Sequence, residues 1–144
     1  MPVKHFELLS IEGKRFSKMQ RIPPNVRIDH NLSIGLITER SKREVEIEFK
    51  VTASYSTADH QGLGVISIEG TLVYEGDANE IAHQWRTRRE MPDKAATEIP
   101  QTIMSNCLTE MVIIARDIRL PPPVPYPRIK LGGKPKESTG VEVA

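Results

Sequence analysis

The chain has 144 residues and a mass of 16.2 kDa, the size of one ordinary domain. Its 20 basic and 19 acidic side chains leave a formal charge of +1, which excludes a strongly basic nucleic-acid protein. A mean hydropathy of -0.37 without any long apolar run excludes a membrane-spanning helix, and the single Cys107 excludes an intramolecular disulfide or a multi-cysteine metal site. The opening Met1-Pro2-Val3-Lys4-His5 lacks the apolar stretch of a secretory signal, so the expected compartment is the cytoplasm.

The first half of the chain has the two-residue period of strands. Phe6, Leu8, Leu9, Ile11 and Phe16 mark a first strand within His5 to Met19, bent around Gly13. Val26, Ile28, His30, Leu32, Ile34 and Leu36 alternate with polar residues in a second. Val45, Ile47, Phe49, Val51, Ala53 and Tyr55 form a third, and Ile66, Ile68, Gly70, Leu72 and Tyr74 a fourth. The connections at Glu39 to Arg43 and Asp59 to Gly62 are too short for a parallel crossover, so the strands are expected in an antiparallel meander.

The period then changes to that of helices. Asp77 is an N-cap, Glu80 follows three residues on, and a short helix is expected to run to about Glu90, burying Ile81 and Trp85. Met91-Pro92-Asp93 stops it. A longer helix is expected with Pro100 in its first turn, ending at Ile118 or Arg119. Its last turns are apolar almost all round, more than one sheet face requires. Val112, Ile113 and Ile114, together with Trp85, are therefore read as an oligomer interface; the alternative is a helix sandwiched within its own subunit. Five of the 11 prolines crowd into residues 121–127 and form an extended strip. Residues 1–131 make one α+β domain, and Gly132 to Ala144 read as a flexible tail.

Catalytic chemistry has no residue pattern to stand on. Gly62-Leu63-Gly64 meets Ser67 where a dinucleotide fingerprint needs glycine, and Gly13-Lys14 lacks the upstream glycine of a phosphate loop. The histidines at 5, 30, 60 and 83 are scattered; His30 is expected to be a hydrogen-bonded core or interface residue. Cys107 sits on an apolar helix face without a basic neighbour, so it counts as a small hydrophobe. Arg86, Arg88 and Arg89 form a basic patch that reads as a solvated helix face in a neutral chain. Glu46, Glu48, Glu69 and Glu75 share the polar parity of two neighbouring strands, either as a solvated face or as a docking surface for a basic partner. Phe16, Met19, Ile22 and Pro23 before the second strand, and Val124 and Tyr126 after the long helix, are apolar and extended. They suit either coverage of the sheet edge or loose contact with apolar ligands.

Four strands, a shorter helix, a long helix and a proline-bearing exit resemble the SecB export-chaperone family over roughly residues 5 to 130. Ile99-Pro100, the stretch Asn106-Cys107-Leu108-Thr109-Glu110-Met111-Val112 and Val51-Thr52-Ala53-Ser54 are similar to segments of that family. The resemblance implies a homotetramer, a dimer of dimers, that holds unfolded polypeptides in apolar grooves without ATP or any cofactor, with a place in protein export. It also implies that Phe16, Met19, Ile22, Pro23, Val124 and Tyr126 contact clients. The family's aromatic and arginine positions after the helix-opening proline are Gln101, Thr102 and Ile103 here, and residues 132–144 contain none of the cysteines of the family's zinc tail. Nucleic acid, membrane insertion, a bound metal and enzymatic activity are not expected. The other reading is an adaptor or structural protein of the same fold that binds one folded partner through the acidic face.

Overall fold

The computed structural model describes residues 2–16, 25–124, 127–129 and 141–143. Strands β1 (Val3–Arg15), β2 (Arg27–Ser41), β3 (Glu44–Ser56) and β4 (Gly62–Glu75) form one antiparallel sheet. Helices α1 (Ala78–Arg88) and α2 (Asp93–Asp117) follow and pack on its inner face. This is the α+β class expected from the sequence. Short backbone strands β5 (Pro127–Ile129) and β6 (Val141–Val143) pair with each other, inside the stretch that includes the expected tail.

The strand order is β1-β4-β3-β2, so only β2, β3 and β4 form a meander. The first strand lies beside β4 rather than β2, an arrangement of the Greek-key kind. Periodicity reports that a segment is a strand, and nothing in it reports which edge the strand joins. The expected bend at Gly13 is also displaced. Register breaks fall between Lys4 and Glu7 and between Leu8 and Ser10, with His5 at a φ of 48°. Gly13 instead makes room for the helix. A Cβ there would collide with Ile114 of α2, so the missing side chain lets α2 close on the edge strand.

In the central strands the sequence pattern and the burial coincide. Val45, Ile47, Val51, Ala53, Ile66, Ile68 and Leu72 are completely buried on the inner face. Phe6 of β1 stacks on Phe49 of β3, with ring centroids 5.3 Å apart. In β2 the alternation fails at one place. The register shifts between Ile34 and Ile37, so two residues, Gly35 and Leu36, oppose Glu48. The bulge reverses the parity: Ile37 enters the core and Leu36, expected on the apolar face, is 62% exposed.

Asp77 caps α1 as expected, its carboxylate accepting from the Glu80 N–H at 3.2 Å. The long helix starts earlier than expected. Pro92 is its N-cap, and Pro100 lies inside it. A proline within a helix forgoes one backbone hydrogen bond, a cost that tertiary burial here outweighs. The fully buried Ile99 and Ile103 flank Pro100 and hold that stretch against the sheet. The buried residues Ala95, Ile99, Ile103, Cys107, Met111 and Ala115 are spaced by four and form a single ridge of the kind that packs into a groove. Tyr74 of β4 ties the same helix through its hydroxyl, which donates to Glu98 Oε1 at 3.2 Å; burial and that carboxylate push the phenol up to about 12.

Ile103→Ala, in the middle of the ridge, is expected to lower stability by about 2–5 kcal/mol in urea denaturation. Gln101→Ala, exposed on the same helix, is expected to change it by less than about 0.5 kcal/mol.

Candidate functional site

Among the described residues, β2 is an edge strand with one partner, β3. Its outer edge and the α1–α2 junction bound two adjoining clefts. The first, about 740 Å³, is lined by Leu32, Ser33, Ile34, Gly35, Leu36, Trp85 and Arg89. The second, about 400 Å³, is lined by Trp85, Arg89, Glu90, Met91, Asp93, Ala96 and Pro100. Trp85 and Arg89 belong to both.

The bulge builds this place. The Gly35 carbonyl, at the bulge, accepts from the Trp85 indole N–H at 3.0 Å. That bond fixes the indole against the strand edge. Arg89 then lies over the ring, its guanidinium carbon 5.4 Å from the centroid. Arg89 ends α1 in the left-handed conformation, φ 55°, and its N–H reaches the carbonyls of Gln84 and Trp85. The result is an open groove with apolar walls, one polarised aromatic floor and an unfinished strand edge.

A different group of contacts holds the proline strip. Pro121, Pro122 and Pro123 have no N–H, so the strip cannot be stitched to the sheet as a strand donor. Its carbonyls accept instead from side chains: Tyr55 Oη donates to Pro121 O at 2.6 Å, and His30 Nε2 lies 2.8 Å from Pro123 O. His30 is thus hydrogen-bonded as expected, but it sits in an exposed position rather than in the core.

The residues singled out from sequence fall into three places. Phe16 is 54% exposed beside Gly62 and its N–H donates to Leu63 O at 2.9 Å; Val124 is half-buried at the end of the strip. Met19, Ile22, Pro23 and Tyr126 lie outside the described residues. Glu46, Glu48, Glu69 and Glu75 do share the outer sheet face. Two of them are engaged: Glu46 faces Arg40 at 3.8 Å and Glu75 meets Lys4 at 2.7 Å. Glu69 is opposite Lys50 in the register, and Glu48 opposite Thr71.

Trp85 is half-buried in the groove, and Ile114 packs on the core of its own chain beside Gly13. Val112 is half-buried and Ile113 is 43% exposed. Leu32, Ile34, Leu36, Arg89 and Met91 entered no site assigned from the sequence. The one local signal for them was Gly35 inside an alternating run, a mark of bulges.

Nothing in the described residues prepares a nucleophile. Cys107 is fully buried, and burial followed by the Glu110 charge pushes its thiol up to about 11. No group of three or more His, Cys, Asp or Glu among the described residues could hold a metal ion. No helix of the described chain is long and apolar enough to cross a membrane.

A four-stranded β1-β4-β3-β2 sheet followed by a short and a long helix is a SecB-like α+β fold. The chain is similar to the SecB-like chaperone Rv1957 of Mycobacterium tuberculosis, solved in complex with a ChAD peptide from the Rv1956 HigA1 antitoxin. The similarity has a TM-score of 0.59 at 12% identity and covers 93% of this chain and 91% of the other. No family model and no curated protein sequence matches the chain.

Tyr55→Phe keeps the buried ring and deletes one bond to the strip, so a loss of about 0.5–1.5 kcal/mol is expected in urea denaturation. Lys4 gives a pH signature. Its ammonium, first by hydrogen bond and then by charge, holds the Glu75 carboxyl below the ordinary 4.5, and Glu75 in turn raises Lys4 above 10.5. The Glu75 contribution is present above pH 4.5 and fades as pH falls below that value; the Lys4 contribution persists until pH rises past 10.5. Glu75→Gln should therefore flatten the acid side of the stability profile, and should do so less in a Lys4→Met background, where the Arg43 charge still acts on Glu75.

Proposed function

We propose that this protein is an ATP-independent holdase that binds non-native polypeptides, and that it acts as a homo-oligomer in the cytoplasm without a cofactor. The observation that carries this reading is the groove along the β2 edge, a strand that pairs with β3 alone among the described residues. An extended client could add main-chain hydrogen bonds to the edge and bury apolar side chains against Leu32, Ile34 and Trp85. Burial contributes about 25 cal/mol per Å² and discriminates weakly between similar apolar side chains, which suits many clients. The SecB-like fold, and a peptide held by the Mycobacterium tuberculosis chaperone of that fold, support the same reading.

Oligomerisation, as a dimer of dimers, has its own motive. Leu9 and Ile11 on edge strand β1 are 67% and 50% exposed, and Ile113 on α2 is 43% exposed. Ile11 shares the helix-facing side of the sheet with its partner Ile68, where α2 closes on β1. Apolar exposure of this kind is relieved by a second copy. Val112 and Ile113 remain candidate interface residues, Trp85 is assigned to the groove instead, and Phe16 and Val124 stay candidate client contacts. Glu48 and Glu69 are the acidic positions best placed for a basic partner in protein export, since neither has an ion pair within 4.0 Å among the described residues.

Substoichiometric protein, counted per oligomer, is expected to suppress light scattering by a chemically denatured client on dilution. Leu36→Asp should weaken that suppression severalfold with little loss of stability, because Leu36 is exposed. No suppression by the unmodified protein at severalfold molar excess overturns the holdase reading. Native mass should report a tetramer, with Ile113→Asp shifting it to smaller species; a monomer at micromolar concentration overturns the assembly.

A further inference from the structure

The groove carries a charge that its apolar walls do not explain. Leu32, Ile34, Leu36 and Trp85 make the β2-side cleft apolar, and Arg89 is the one charged side chain among the described residues that line it. No carboxylate of the described residues forms an ion pair with Arg89. Its guanidinium is nonetheless held in place over the Trp85 ring, while the indole N–H is itself fixed on Gly35 O. A face stacked on an aromatic ring leaves the in-plane N–H donors of an arginine free to point elsewhere. The residue also occupies a left-handed position, φ 55°, that glycine fills at least cost.

On the other side of Trp85 the balance is reversed. Glu90 and Asp93 line the α1–α2 cleft together with Arg89. A negatively charged group would be repelled there and attracted on the β2 side. The charge pattern is therefore directional across the indole, and it lies beside the strand edge that a bound segment would follow.

We infer that Arg89 makes the groove selective for extended segments that carry one acidic side chain among apolar ones, with the carboxylate on the β2 side of Trp85. This rests on the holdase reading and gives it a sequence preference. The carboxylate accepts from the guanidinium in the plane of its N–H groups, and apolar neighbours in the segment meet Leu32, Ile34 and Leu36. Register follows from the same contact, because one charged anchor fixes where an otherwise featureless apolar segment stops sliding.

Trp85 is the only tryptophan in the chain, so its fluorescence reports on this groove alone. Short synthetic peptides of one apolar sequence, with Glu, Gln or Lys at the centre, are titrated into the full-length protein. Labelled-peptide anisotropy is followed in parallel. Exposed ion pairs are modest, so the Glu peptide is expected to bind about threefold to fivefold more tightly than the Gln peptide, and the Lys peptide more weakly than either. The preference should shrink as salt rises, vanish in Arg89→Gln, and turn toward the Lys peptide in Arg89→Glu. Arg89→Lys, which keeps the charge, should retain part of it, and thermal unfolding followed by circular dichroism shows that each variant is folded.

Equal affinity for the Glu and Gln peptides, or a preference that survives Arg89→Gln, overturns the inference and leaves the holdase reading standing. Binding seen by anisotropy without a response from Trp85 does the same, by placing clients elsewhere. Failure of every peptide to bind, together with failure to suppress client aggregation, overturns both.

Discussion

The inner face of β3 and β4 must be covered, and the elements available to cover it are shorter than the sheet. At about 3.3 Å per residue the 15 residues of β2 extend about 50 Å, whereas the 11 residues of α1 extend about 16 Å and the 25 of α2 about 37 Å. The helices therefore seal the middle of the sheet completely and its margins incompletely. Val45, Ile47, Ile66 and Ile68 have no exposed surface, while Leu9, Ile11 and Leu36, all on edge strands, are half exposed or more. Ile11 is exposed at the rim because cover runs out there, and Leu36 because the bulge turns it off the inner face.

Two devices finish what the helices leave open, and both work through backbone carbonyls. At one end of the sheet the proline strip offers acceptors and no donors, so Tyr55 and His30 hold it from below. Along the β2 edge, at the bulge, the Gly35 carbonyl accepts from the Trp85 indole. The first device closes a margin of the core. The second closes only one point of an edge and leaves a cleft on either side of the indole, apolar toward β2 and acidic toward the α1–α2 junction. The groove offers burial, a strand edge and one oriented cation. Noncovalent capture of extended chain is the activity proposed for it.

Electrostatics divides the molecule without dominating it. Carboxylates lie on the outer sheet face and arginines on α1, on different elements of a nearly neutral chain. On the outer face Lys4 and Arg40 already engage Glu75 and Glu46, which narrows the part of that face open to a partner. At the end of α1, Arg89 lies over a ring and has no ion pair with a carboxylate among the described residues.

Composition and local pattern by themselves determined the elements: the alternation of β3 and β4, the Asp77 cap, the inert Cys107 and the α+β class, because each depends on neighbours in the chain or on burial alone. The order of elements also carried the resemblance to the SecB fold. Tertiary structure decided the rest. It placed β1 beside β4, since pairing partners leave no trace in the period of a strand. It carried α2 through Pro100, since packing outweighed one lost hydrogen bond. Above all it reversed the parity of β2 at Gly35 and Leu36, and with it joined Trp85, Arg89 and the strand edge into one groove. The near-balanced charge of the chain cannot place a cation. Where Arg89 stands depends on a bulge 50 residues away from the tryptophan that fills it, a separation that only the folded chain closes.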